Sequence, residues 1–183
     1  MRSIFIVGST RGIGHALAGQ LRADGVTLWT ASRGAAAGER HVEWDASAAT
    51  LPDGFLPDRL DGLVYCPGSI TLKPFQRLTD ATFRYDLEVN LLGAVRAIQA
   101  ALPALKASGN ASVVLFSTVA VTTGMPMHAS IAAAKGAVEG LTRSLAAGQQ
   151  TLAEAEHQRE EHQRAQEDVE RDLIAHEPAS SSE

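Results

Sequence analysis

The chain has one cysteine in 183 residues, Cys66, so an internal disulfide is excluded and the usage fits a reducing compartment. No apolar run approaches the roughly 18 residues that a membrane span needs, and the first residues lack the pattern of a cleavable signal. A cytoplasmic protein with no membrane partner is expected. Clustered bases are also missing: Lys and Arg are scattered singly and no nucleic-acid-binding motif appears, so no nucleic-acid partner is expected either. What is present, 45% hydrophobic and 20% charged residues, suits a soluble domain with a substantial core. The net charge of -5 is uneven. Residues 149–183 carry ten acids against three arginines, which leaves the rest slightly basic.

The stretch Ser3 to Leu17 reads as strand, glycine turn and helix. Ile4, Phe5, Ile6 and Val7 form a short continuous apolar run, as in a strand buried on both faces. Gly8, Gly12 and Gly14 follow, and a helix starting near Gly12 would aim its first N–H groups at a bound phosphate. Further strands are expected over 26–32, 40–44, 61–68 and 111–118. Thr79 is a candidate cap for one or two helices over 79–105, and a helix of small residues is expected over 129–147. Pro52, Gly54 and Pro57 argue against a helix over 48–60. Cys66 ends an apolar run and is expected to be a buried, inert thiol.

The spacing Gly-x-x-x-Gly-x-Gly differs from the usual Gly-x-Gly-x-x-Gly dinucleotide fingerprint and resembles the short-chain dehydrogenase/reductase family, with Val7 where that family usually has Thr. The resemblance extends over about residues 3–147 and is to the classical, 3-oxoacyl reductase-like type. It implies an α/β fold: a Rossmann-like three-layer sandwich on a mainly parallel sheet of about five strands in the order 3-2-1-4-5. Residues 1–147 would form the dinucleotide-binding domain and 148–183 a charged, helical or disordered tail. The match ends abruptly at Ser144-Leu-Ala-Ala, where family members continue with further strands, so a truncated or altered C-terminus is expected. Without those strands the fifth strand becomes an edge unless something covers it. The tail's His157-x-x-Glu-Glu-His162 is spaced wrongly for a zinc motif, and no metal site is expected.

By that resemblance Gly8, Ser9, Arg11, Gly12, Ile13 and Gly14 would hold the cofactor's pyrophosphate end. Ser32 and Arg33, at the end of the second strand, would meet the adenosine ribose. An arginine there accommodates a 2′-phosphate, so Arg33 and Arg11 favour NADP over NAD. Asp45 is either an adenine contact or an ordinary turn aspartate. Gly68 is the one match to the family's Asn-Asn-Ala-Gly, in Tyr65-Cys66-Pro67-Gly68. Asn90 sits in Glu-Val-Asn-Leu-Leu-Gly, where the family's asparagine distorts its helix and links the active-site lysine to solvent.

Lys135 sets the register of the family's Ser, Tyr and Lys. Thr118 then falls at the serine and Ile131 at the tyrosine, an isoleucine that cannot act as an acid. His128 is a candidate substitute donor, against a structural role. Three readings stay open: an NADP(H)-dependent oxidoreductase acting on a small carbonyl or alcohol substrate, a relative that binds NADP or forms oligomers without turnover, or a truncated chain with no settled activity. A homo-oligomer through the helices containing 90–106 and 129–147 is also implied.

Overall fold

The structure is a computed structural model that describes residues 2–35 and 40–148. The chain divides into two compact units, Met1–Gly140 and Leu141–Glu183. Of the second unit, residues 141–148 are described and are helical. Apart from Gly148, the expected tail over 148–183 lies outside the described residues, as does the histidine pair at 157 and 162.

In the first unit the order is β1 (Ser3–Val7), α1 (Gly12–Ala23), β2 (Thr27–Ser32), β3 (His41–Glu43) and β4 (Gly62–Tyr65). Then come α2 (Asp80–Leu87), a π-helical turn (Glu88–Leu92), α3 (Gly93–Ser108), β5 (Ser112–Leu115) and α4 (Ala120–Thr123). A helix α5 begins at residue 129 and reaches the end of the unit at 140. The five strands form one parallel sheet in the order β3-β2-β1-β4-β5. This is the Rossmann-like α/β arrangement expected from the sequence, and residues 48–60 are non-helical as expected.

The register explains the layers. Successive strand residues face opposite sides of a sheet. Ile6 packs with Ala18 of α1 and Leu28 of β2, while Ile4, Leu17, Leu21 and Val26 close around them. Phe5, the residue before Ile6 in β1, faces the other side, where its ring and that of Trp29 meet Phe55 edge to face at 6.2 and 5.5 Å. Val7 pairs with Tyr65, and the Tyr65 hydroxyl donates to the Val89 carbonyl at 2.8 Å, placing the π turn on the Phe5 side. α3 buries Ala94, Ala97, Ile98, Ala101, Ala104 and Leu105, the spacing of one helical stripe. β1, paired on both edges and covered on both faces, is the centre of the core, with Phe5 and Ile6 fully buried.

β5 is shorter than the expected 111–118. Its register with β4 ends at Tyr65 opposite Leu115, and Pro67 two residues on has no N–H for the ladder. Among the described residues β5 is an edge strand, with Val113 and Val114 39% and 44% exposed. Thr79 caps α2 as expected, its hydroxyl accepting from the Thr82 N–H.

Asp61, for which the sequence suggests no role, ties the bottom of the sheet together. Its carboxylate accepts from the Ser3 N–H at 2.9 Å, the Ser108 hydroxyl at 2.7 Å and Arg59 Nη2 at 3.1 Å, joining β1, the start of β4 and the end of α3. The Ser108 hydroxyl first, then the Ser3 N–H and Arg59, hold its pKa down at about 2 against an ordinary 3.8. A carboxylate whose pKa is depressed by folding stabilises the fold above its unfolded pKa, and loses that contribution as pH falls through the folded value. Thermal midpoints of the native chain should therefore fall more steeply between pH 3.8 and about 2 than those of Asp61→Asn, as followed by circular dichroism.

Candidate functional site

The glycine turn lies where β1 runs into α1. The Gly8 N–H donates to Ala31 O at 2.7 Å, and Gly8 has φ +84°, a conformation that side chains disfavour. Gly14 is required for a different reason: a Cβ there would run into the Gly8 carbonyl oxygen, so helix and strand end meet backbone to backbone. α1 has no side-chain cap at Arg11 and no acid in its first turn. Its opening N–H groups are thus left for an outside acceptor, with no acidic side chain offsetting the positive end of the helix dipole. Ser9 is buried, and its hydroxyl has no hydrogen-bond partner among the described residues.

A cleft of about 810 Å³ opens over this turn. Gly8, Arg11, Gly12, Ile13 and Gly14 line it, as do Ser32 and Arg33 from the end of β2, Asp45 beyond β3 and Gly68 beyond β4. The parallel topology brings these distant segments together, because every strand ends at the same side of the sheet. Arg11 and Arg33 are exposed cations facing one cavity. The Ser32 hydroxyl donates to the Gly34 carbonyl at 2.7 Å. Asp45 is a turn aspartate that also borders the cleft. Its carboxylate closes a turn by accepting from the Ser47 hydroxyl at 2.6 Å and the Ser47 N–H at 3.0 Å, and it also lines the cleft. The Ser47 hydroxyl is the main influence lowering its pKa, with a smaller contribution from the Arg33 charge.

Asn90 occupies the middle of the π turn and is 1% exposed. Within the turn the Gly93 N–H donates to the carbonyl of Glu88, five residues back. The Asn90 side-chain NH2 donates to the Asp86 carbonyl at 2.9 Å, so the helical distortion and the asparagine occur together. A Cβ on Gly68 would lie 3.3 Å from Asn90 Oδ1 and 4.0 Å from Lys135 Nζ. The amide and the lysine amine therefore face the same glycine. Lys135 is half-buried, and that burial lowers its pKa.

Asn90, Thr118, Ile131 and Lys135 lie outside the lining of the cleft. Thr118 Oγ1 accepts from the Ala120 N–H at 3.3 Å at the start of α4. Ile131 is 3% exposed and belongs to the apolar core. His128 stands just before α5 with its Nδ1 2.7 Å from the Pro126 carbonyl oxygen. Ser9 is likewise buried and absent from the cleft lining.

Cys66 is half-buried rather than buried, lines the cleft, and has its thiol pushed up to about 11 by burial. That matches the inert thiol expected from the sequence. Tyr65, Tyr85 and Val89 also line the cleft and were missed. Tyr65 stands where the family has an asparagine, and burial raises its pKa and keeps the phenol a donor to Val89 O. Tyr85 and Val89 are four residues apart, a helical spacing that marks one face, but only the fold shows that this face meets the cleft. Among the described residues no group of three or more His, Cys, Asp or Glu side chains could hold a metal ion. Nor is any described helix long and apolar enough to cross a membrane.

The chain resembles known proteins over most of this structure. It is 32% identical over 126 residues to human 17-beta-hydroxysteroid dehydrogenase type 1, covering 65% of this chain and 38% of that protein. It is 29% identical over 153 residues to the 3-oxoacyl-acyl-carrier-protein reductase MabA of Mycobacterium tuberculosis, covering 79% of this chain and 62% of the reductase. The chain thus spans less than two thirds of the length of either relative. In fold it is like the short chain dehydrogenase from Shigella flexneri, with a TM-score of 0.73 over 80% of this chain and 67% of the other at 22% identity. The family model for short chain dehydrogenases matches residues 39–152. That match takes in more than half of the chain and agrees with the parallel sheet in the order β3-β2-β1-β4-β5, and this chain belongs to the short chain dehydrogenase family.

Proposed function

We propose that this chain holds NADP(H) and acts as an oxidoreductase on a small carbonyl or alcohol compound. The observation that carries this reading is the single cleft into which the glycine turn, Arg11 and Arg33 all face. The fit to a dinucleotide rests on features that folding alone leaves unexplained. Gly14 keeps the helix end open to a close approach, and the first turn of α1 has no acid or side-chain cap. Gly8 to Gly14 would hold the pyrophosphate, and Arg33 with Arg11 would hold a 2′-phosphate through charge-assisted hydrogen bonds. Ser32, Asp45 and Gly68 would line the rest of the adenosine side. NAD, which lacks that phosphate, would leave Arg33 and Arg11 without their acceptor.

When bound, the nicotinamide supplies or accepts hydride. The chain's own residues have the remaining work of placing and protonating the substrate oxygen. The Thr118 hydroxyl is the remaining donor from the Ser-Tyr-Lys positions, and Lys135 contributes a cation desolvated enough to have a lowered pKa. Asn90 would link Lys135 to solvent. Ile131 offers no proton, and its burial in the core favours a second reading in which the cofactor is held with little or no turnover. The cytoplasmic location and the homo-oligomer through helices 90–106 and 129–147 belong to the same proposal.

Three outcomes test it. Titration by intrinsic fluorescence should show NADPH binding tighter than NADH, and Arg33→Ala should weaken NADPH by about ten-fold or more while barely moving NADH, given about 1.5–3 kcal/mol for a hydrogen bond to a charged group. Gly14→Ala should abolish binding of both, because the new Cβ can be relieved only by moving the Gly8 backbone. Ile131→Tyr should raise NADPH-dependent carbonyl reduction by about 10²-fold, the lower end of what a positioned acid contributes. If NADPH binds tightly and the tyrosine variant still shows no oxidation of it, the non-catalytic reading replaces the first.

A further inference from the structure

The segment before Asn90 contains a buried acid for which neither the fold nor the proposed reaction has yet supplied a use. Asp86 lies four residues before Asn90, at the end of α2, and is fully buried. Its Oδ1 accepts from the Ser69 hydroxyl at 2.6 Å. The Ser69 oxygen in turn accepts from the Asn90 NH2 at 2.9 Å, and the Ser69 N–H donates to Asn90 Oδ1 at 3.4 Å. Asp86 Oδ2 has no partner among the described residues. A half-satisfied carboxylate is a costly thing to bury, so stability alone gives no reason for an acid here.

The chemistry of the three groups makes the chain of hydrogen bonds run one way. A carboxylate only accepts, so the Ser69 proton must point at Asp86. The Ser69 oxygen is then the acceptor, and only the NH2 edge of the Asn90 amide can meet it. An asparagine amide is nearly symmetric in shape, and its orientation is decided by such partners. With the NH2 edge committed to Ser69 and the Asp86 carbonyl, Oδ1 is left toward Gly68, the glycine that Lys135 Nζ also faces. Burial is what lowers the pKa of Lys135, and Glu139, one turn along α5, accepts from the Ser117 hydroxyl at 2.6 Å.

We propose that Asp86 is a positioning residue that acts through Ser69 to hold the Asn90 carbonyl oxygen on the Gly68 side, where it favours the charged form of Lys135. This deepens the oxidoreductase reading by adding two residues behind the Asn90 and Lys135 pair, yet its test needs neither cofactor nor turnover.

The chain has three lysines, Lys73, Lys106 and Lys135, so their titrations can be followed separately by NMR in the full chain labelled with ¹³C at lysine Cε. Ser69→Ala and Asp86→Asn should both lower the midpoint of Lys135, by about half a unit or more for a change of this size in hydrogen bonding, and leave Lys73 and Lys106 where they are. Ser69→Thr, which keeps the hydroxyl, should restore the native midpoint. Asp86→Asn should melt no lower than the native chain. An unchanged Lys135 midpoint in Ser69→Ala overturns the proposal even if Asp86→Asn shifts it, since the shift would then report only the lost charge. A lower melting temperature in Asp86→Asn with an unmoved midpoint also overturns it, by making Asp86 a structural acid. Shifted midpoints in a chain that shows no NADPH turnover would support the positioning role and count against the oxidoreductase reading.

Discussion

The contact on which the site depends is the one between Gly14 and the Gly8 carbonyl, where the first turn of α1 rests on the end of β1 with no side chain between them. Were the helix held further out by a single methyl group, its N–H groups would no longer converge on the space above the sheet. The sheet is built to present that contact. β1 is buried on both faces and paired on both edges, so its C-terminal end is held in place by the whole core. The neighbouring parallel strands end at the same level, which puts Arg33, Asp45 and Gly68 around the same cleft. The lower end is clamped by Asp61, which joins two strands and a helix through one carboxylate.

The other half of the site is organised by polar groups withdrawn from water. The Asn90 NH2 edge donates to the Asp86 carbonyl and the Ser69 hydroxyl oxygen, Tyr65 bonds the carbonyl of Val89 beside it, and Lys135 is half-buried opposite Gly68. Against that background Ile131 stands out. Four residues before the half-buried Lys135, its side chain is packed as core. The glycine turn thus borders an open cleft, whereas Ile131 is closed into apolar packing.

Much of this was legible in the residues. The apolar run Ile4 to Val7 announced a doubly covered strand, the glycine spacing announced the turn, and Thr79 announced the start of α2. These are local signals, set by a few neighbouring residues and by backbone geometry. The lengths of the edge strands were not legible in the same way. β5 stops at Leu115 because its partner strand stops at Tyr65, and no feature within 111–118 carries that information.

The sequence alone determined the fold class and the glycine turn, and it singled out Asn90, Thr118 and Lys135 as candidates, because each reading depends on spacing along the chain. Only the tertiary structure decided which of them face one another. Asp61, Tyr85 and the Ser69, Asp86 and Asn90 cluster join residues that are distant in sequence or unremarkable in composition. Their roles come from hydrogen bonds and burial that exist only once the sheet has formed. The opening glycine turn shows both halves of this division: its three glycines are readable as a motif, but the reason Gly14 can be nothing larger is the carbonyl of Gly8, six residues away and in contact only after folding.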